Sequence, residues 1–360
     1  AVPDWNAADR LPKDSNALRK IFYWSDNNGA NKGDEFLWNN LSNAEKALFG
    51  PNDAVRQSVV NYIRGSGANE FTRGGNLRDR SATTVLGDIA HSSPAFSKDS
   101  EVVFVGSNGG MLHAFATKPL VAGGNSIPPG TELFAYIPSA VLPRLKNLAA
   151  VGYDVAHEYF VDGDVAVSAK FSNRNYLVAT LGRGGKGLFG LDVTDPYNFS
   201  SNDVKWEYFE NNSSANSALV PDPDLGFMLG RPIIGTAEDG TPIAIVGNGY
   251  NSTNESAALY VFNLTTGQRI RKLVVPTVTV GSNGLATPGV FDANNNGRID
   301  TVYGGDLFGQ VWRFDLSSTN AASWSVSNGG LPIFTARSPS GARQPITAPL
   351  SVAINSVSVD

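Results

Sequence analysis

From about residue 84 onward, apolar residues fall in short runs bounded by glycine and polar turns, and the runs recur in one outline. A small–Pro step opens a strand, a second strand ends in glycine, a turn follows, and a third strand is rich in aromatics. The copies read HSSPAF with EVVFVGSNGGMLHAFA, VDGDVAVSAKF with NYLVATLGRGGKGLFGLDV, GRPIIGTA with TPIAIVGNGYNSTNESAALYVFNL, and ATPGVFDANNNGRIDTVYGGDLFGQVWRFDL. A fifth begins at PITAPLSVAIN. The glycines that end the second strand align as Gly106, Gly182, Gly247 and Gly304, spaced by about 57 to 76 residues. That exceeds the roughly 40–50 residues of compact propeller repeats, so long loops are expected. Four-stranded blades repeated around an axis accommodate such inserts and hide sheet edges, whereas a β-sandwich would not require one signature four times. The expected fold is all-β: a β-propeller of four blades plus part of another. Inserts fall at about 117–160, 195–228 and 316–344, and VLPRLKNL around Pro143 reads as a short surface helix.

Residues 1–83 follow another pattern. LSNAEKALF spaces Leu41, Ala44 and Leu48 helically, and DAVRQSVVNYI does the same with Val55, Val59, Tyr62 and Ile63. Ser42 and Asp53 are the expected N-caps and Gly65 the expected stop. This segment is read as a helical or irregular piece packing on a propeller at 84–360. Ahead of it, Asp26, Asn28, Asn31, Asp34 and Glu35 lie in a polar loop whose spacing fits a solvated loop better than a cation site. The start at Ala1 and the stop inside a fifth copy read as a fragment of a longer chain, unless strands from residues 1–90 help to close the ring.

Composition narrows the class. The chain has 360 residues, 41% hydrophobic and 17% charged, with 38 glycines, a mix that suits many short strands with polar turns. A formal charge of −5 without a Lys/Arg block argues against nucleic acid as a partner. With no cysteine, disulfides, zinc–thiolate sites and thiol catalysis are excluded. No apolar run reaches the roughly 20 residues that span a bilayer.

The strongest chemical signal is DANNNGRID. It sets oxygen side chains at positions one, three, five and nine, namely Asp292, Asn294, Asn296 and Asp300, with Gly297 at six and the Arg298 carbonyl at seven. This is the first nine-residue part of an EF-hand loop, in which glycine permits a sharp turn and the oxygens converge on a hard cation. Strand-like flanks, and Tyr303 where a bidentate Glu would stand, make it a calcium loop bent into a hairpin. Two carboxylates balance one divalent cation, and calcium, with its roughly six to eight oxygens, suits the set better than magnesium. The expected dissociation constant is about 10⁻⁵ to 10⁻³ M. The alternative is an Asn/Gly-rich turn whose side chains bond only their own backbone.

Other constellations read as structural. GRGGKG at 182–187 satisfies a dinucleotide fingerprint, but LFGLDV follows as a strand where a helix is needed. His91, His113 and His157 stand beside apolar or small residues and are expected as buried, hydrogen-bonded side chains. Asp162 and Asp164 flank Gly163 in a tight turn, and Asp306 either braces the loop or serves a turn. Trp206, Trp312 and Trp324 with Phe189, Phe262 and Phe314 are expected to pack between blades.

The ordered phrases LGDIAHSSP, VFVGSNGGMLHAF, ELFAYIPSAVLPRL, YDVAHEYFVDG, LGRGGKGLFGLDVTDP, WEY, IVGNGY and GVFDANNNGRIDTVYGGDLFGQVWRFDL cover most of residues 56–350. Together they resemble the C-terminal domain of type IV pilus biogenesis factors and tip adhesins of the PilY/PilC kind. The resemblance implies a modified β-propeller on the pilus tip or outer surface of a Gram-negative bacterium, with Ca2+ held by Asp292, Asn294, Asn296, the Arg298 carbonyl and Asp300. It further implies control of pilus extension against retraction, adhesion, twitching motility and virulence. The implied partners are minor pilins and a host-cell receptor, and no enzymatic activity is implied. The family's loop carries more carboxylates, and the Arg-Gly-Asp tripeptide of some members is absent, the nearest string being Arg64-Gly65-Ser66. Two rivals stand beside it: a quinone-cofactor dehydrogenase propeller, and a scaffold that calcium merely staples.

Overall fold

The computed structural model describes residues 5–14, 17–25, 32–80, 84–122, 125–211, 221–276 and 281–353. The chain divides into two compact units, residues 1–185 with 189–206, and residues 186–188 with 207–360.

In the first unit, short helix α1 (Ala7–Arg10) precedes strands β1 (Ile21–Trp24) and β2 (Gly33–Glu35) and helices α2 (Asn43–Ala47) and α3 (Asp53–Arg64). Strands β3 (Ala95–Ser97), β4 (Val102–Ser107) and β5 (Met111–Ala116) follow. A small hairpin, β6 (Leu120–Ala122) with β7 (Asn125–Ile127), leads to β8 (Glu132–Ile137), helix α4 (Leu145–Leu148), β9 (Val165–Val167) and β10 (Tyr176–Thr180). One six-stranded sheet runs β2-β1-β8-β5-β4-β3. Its β3–β4–β5–β8 part is the antiparallel blade expected from the first repeat. Its edge comes from the N-terminal segment, for β1 lies parallel to β8 with Ile21 opposite Ala135. The helical reading of residues 1–83 missed this strand. IFYW is buried at every position, so it lacks the alternation that marks a half-buried strand.

The helices stand where the spacing put them. Ser42 and Glu45 form a reciprocal capping box, and Gly65 ends α3 at φ +120°. The cap of α3 is Asn52, however, whose side chain accepts from Val55 N at 3.1 Å. Asp53 sits inside the first turn and pairs with Arg56 at 2.8 Å. VLPRLKNL forms a 3₁₀ turn followed by α4, but Val141, Leu142, Leu145 and Leu148 are buried, so it is packed into the unit and does not ride on the surface. Of the polar loop, Asp26, Asn28 and Asn31 lie outside the described residues, and Asp34 accepts from Asn40 Nδ2 at 2.9 Å.

A second sheet runs β12-β11-β10-β9, with β11 (Gly187–Asp192) and β12 (Val204–Phe209) each carrying residues of both units. The second unit then holds two more sheets. One is β13 (Ile233–Thr236), β14 (Pro242–Gly247), β15 (Ala258–Asn263) and β16 (Arg269–Val274), in sequence order and antiparallel. The other is β17 (Gly289–Phe291), β18 (Thr301–Gly305), β19 (Gln310–Asp315) and β20 (Ser325–Val326), with β21 (Phe334–Thr335) also on β19. Between these two lies one apolar core that includes Ile243, Ile245, Leu259, Val261, Leu285, Ile299, Val302, Trp312, Phe314 and Trp324. Of the six aromatics expected between blades, Trp312, Phe314 and Trp324 lie in this core, and Trp206, Phe189 and Phe262 are fully buried. The expected fifth copy forms no strand over its described part, residues 345–353. Ile346 N donates to Asp306 O at 2.9 Å, so this stretch starts along the fourth sheet as an irregular tail.

The recurring glycines mark close approach of neighbouring chain. A Cβ on Gly106 would strike the Val161 carbonyl, and one on Gly247 the Ala286 carbonyl. GRGGKG is explained in the same way: residues 182–184 form a single 3₁₀ turn and a strand follows. A Cβ on Gly184 would overlap the Phe160 carbonyl, a backbone atom that cannot swing aside. Gly184→Ala is therefore expected to lower stability by about 3 kcal/mol, at the upper end of overpacking costs. Urea unfolding would show this as a lower midpoint at unchanged slope. An unchanged midpoint would mean that the approach is not tight.

Candidate metal centre

Asp292–Asp300 is the connection between β17 and β18. Phe291 pairs with Thr301 at its base, Asp300 N donates to Phe291 O at 3.1 Å, and Leu316 N donates to Asp300 O at 2.8 Å. Ile299 belongs to the apolar core. Tyr303, at the EF-hand's twelfth position, is a residue of β18. The loop is thus anchored at both ends by strand pairing and by core packing, while residues 293–297 are exposed.

Within the loop the oxygens draw together over a tight turn. Asn295 at φ +57° and Gly297 at φ +81° turn the backbone back on itself. Asp292 takes Asn296 N on Oδ1 at 3.1 Å and Gly297 N on Oδ2 at 2.7 Å. Asn294 Oδ1 lies 3.0 Å from the same Asn296 N, and Asn296 Oδ1 accepts from Arg298 N at 2.8 Å. Asp300 Oδ2 accepts from Ala293 N at 2.6 Å and from Asn294 N at 3.3 Å. Each bond uses one lone pair of an oxygen that carries about two, so the donor set keeps free capacity.

Asp300 tests the fit of a cation. Its side chain belongs to a residue only 3% exposed, and among the described residues no Lys, Arg or His pairs with it. A buried carboxylate is held by hydrogen bonds and by a counter-charge, and Asp300 has the first from Ala293 N and Asn294 N while a cation would supply the second. No group of three or more His, Asp or Glu side chains suited to a metal occurs among the described residues. The loop offers two carboxylates, two amide oxygens and a carbonyl, the oxygen-only mixture that suits calcium. The residues present therefore fit the ion.

One neighbour has no counterpart in the sequence pattern. Glu238, in the turn between β13 and β14, accepts from Asn296 Nδ2 with both carboxylate oxygens at 3.2 Å. The Arg298 guanidinium donates to the Glu238 carbonyl, and Ile299 N donates to Thr236 O at 2.9 Å. Glu238 lies 58 residues from Asn296, beyond the reach of any local spacing rule. Asp306 does not join this group. It accepts from Phe308 N, Gln310 N, Trp312 Nε1 and Asn283 Nδ2 at 2.8–3.0 Å, which makes it a turn-bracing carboxylate.

The histidines remain apart from this site. His113 is buried between Ser107 Oγ at 2.9 Å and Glu132 Oε1 at 2.7 Å, as expected. His91 and His157 have 48% and 39% exposed side chains, so the expectation of burial fails for both. They bond Asp162 and Asp88 respectively, and small neighbours in sequence here reflect turns near the surface. Asp162 and Asp164 also accept from His91 N and Ser93 N, which ties their turn to an earlier segment.

Among the described residues no helix is long and apolar enough to cross a membrane. A family model described as the PilY1 beta-propeller domain matches residues 83–357. A type IV pilus biogenesis factor PilY1 of Pseudomonas aeruginosa (strain UCBPP-PA14) is 34% identical over 401 aligned positions, covering 96% of this chain and 32% of the relative. A PilY1 homolog of Xylella fastidiosa is 40% identical over 275, covering 72% of this chain and 17% of the relative. This chain thus spans a third or less of these relatives' length. The crystal structure of the Pseudomonas aeruginosa PilY1 C-terminal domain superposes with a TM-score of 0.55 at 37% identity, covering 70% of this chain and 49% of that one. Repeated blade sheets, family match and structural likeness agree: the chain belongs to the PilY1 β-propeller family.

Proposed function

We propose that this chain is a calcium-responsive propeller of a type IV pilus-associated protein, acting at the cell surface through protein contacts and not as an enzyme. The observation that carries the calcium reading is the buried Asp300 carboxylate, hydrogen-bonded to Ala293 N but without a cationic side chain beside it among the described residues, inside a nine-residue loop of oxygen donors. Asp292, Asn294, Asn296, the Arg298 carbonyl and Asp300 would hold the ion, which supplies the positive charge that the two carboxylates lack. Membership of a family whose curated relatives are named as pilus biogenesis factors supports the pilus setting. Minor pilins are the proposed partners. Adhesion to a host-cell receptor, twitching motility and virulence belong to the same proposal.

The loop's anchoring favours a switch over a staple. Its two ends are already held by strand pairing and by Ile299 in the core, so the fold does not wait on the ion. Calcium would act on the exposed stretch 293–297, where a change of order alters a surface. The test is carried out in a bacterium that makes the full-length protein, with Asp292→Ala introduced in the loop. Surface piliation and twitching are then measured across calcium concentrations. The expected result is that both lose their calcium dependence. Wild-type behaviour at every calcium level, from a variant that has lost the ion, would sink the switch.

A further inference from the structure

Asn296 stands at the fifth position of the loop, and an amide there has a problem of orientation. Turned one way it offers oxygen to the ion; turned the other way it offers N–H groups. The geometry around it decides the matter. Asn296 Oδ1 faces the Arg298 N–H at 2.8 Å inside the loop, and Nδ2 faces both Glu238 oxygens at 3.2 Å outside it. A flipped amide would set N–H against N–H and oxygen against carboxylate, two repulsions in place of three bonds.

We infer that Glu238 is a positioning residue of the calcium site, holding the Asn296 amide with its oxygen inward and so tying ion affinity to the turn between β13 and β14. This rests on the calcium reading above. Two further bonds bind the same turn to the loop, from the Arg298 guanidinium to the Glu238 carbonyl and from Ile299 N to Thr236 O at 2.9 Å. Glu238 also brings a third negative charge next to the loop without occupying a ligand position. Asparagine at position 296 and glutamate at 238 then form a matched pair. An aspartate at 296 would have no donor to give Glu238, and the two carboxylates would repel each other.

The matched pair predicts a change of sign that a merely structural glutamate would not produce. Calcium affinity is measured by titration calorimetry on EDTA-stripped chain, for wild type, E238A, N296D and the double variant. E238A alone is expected to weaken calcium binding by about tenfold, the low end of losses for residues that orient metal ligands. In the N296D background the same E238A change is expected to tighten binding. Thermal unfolding in EDTA checks folding, and E238Q, which keeps the side chain's length and one acceptor, should fall between E238A and wild type. If wild type binds calcium and E238A weakens binding in both backgrounds or in neither, the positioning role is wrong. If wild type itself does not bind, the calcium reading fails and this inference with it.

Discussion

Replacing Asp300 with alanine is expected to abolish calcium binding, a loss of more than about 100-fold, while leaving the second unit folded. The magnitude follows from position. Residues that only orient ligands cost about 10–100-fold when changed, and Asp300 is one of just two carboxylates among the proposed ligands. It also holds the turn through Ala293 N and Asn294 N, so its removal both discharges and loosens the donor set. Folding survives because the base of the loop is fixed independently by the Phe291–Thr301 pair and the Leu316 N bond to the Asp300 carbonyl, which alanine retains. Terbium luminescence and calorimetry report the binding, and the midpoint of thermal unfolding in EDTA reports the fold. A second signature is thermodynamic: wild type should gain thermal stability as calcium rises past its dissociation constant, and the variant should not. Intact binding in both Asp300→Ala and Asp292→Ala would remove the site from this loop.

The second large effect concerns the first unit. Glu132→Ala is expected to destabilise the first unit by about 3–5 kcal/mol, the cost of leaving a buried charge unpaired. Glu132 receives Arg19 in a two-pronged pair at 2.7 and 2.9 Å and His113 Nδ1 at 2.7 Å, with both partners of the ion pair nearly inaccessible. Burial pushes the Glu132 carboxyl up, but the Arg19 charge and the His113 and Arg19 hydrogen bonds outweigh it and hold the pKa down at about 2. The folded form therefore prefers the ionised group more than the unfolded chain, whose carboxyl titrates near 4.5. The stabilisation is complete above the unfolded value and is lost as pH falls from there toward about 2. Urea midpoints measured across that window should fall steeply with acid in wild type and more gently in Glu132→Gln. Parallel pH profiles for the two proteins would show that the pair is not the acid-sensitive element.

The sheets were legible where local rules govern them. Gly106, Gly247 and Gly304 announce the blades because a Cβ at each would meet a neighbouring segment, and that constraint is visible in any single copy. The turn at 292–300 was legible for the same reason, since its spacing is local and its backbone needs Gly297 at φ +81°. What escaped depends on distant partners. β1 could not be told from a buried helical fragment without knowing that β8 lies beside it. Glu238 carries no signal until folding brings its turn to Asn296. Asn52 and Asp53 both suit a cap, and only the backbone geometry, extended at Asn52, separates them. For His91 and His157, apolar or small sequence neighbours were a poor guide to exposure, because turns bring such residues to the surface.

The parallel seat of β1 on β8 has a consequence for the order in which the protein assembles. Ile21–Trp24 emerges from the ribosome long before its partner around Ala135 exists, and contacts so far apart in sequence close late. Four consecutive apolar side chains would meanwhile be open to other chains. The next residues supply an interim cover: Tyr23 packs on Phe36 at 5.7 Å and Phe36 on Phe49 at 5.8 Å, all between β1 and the start of α3. These local contacts need no residue beyond Phe49 and persist in the folded protein, where β8 then completes the sheet beside β1.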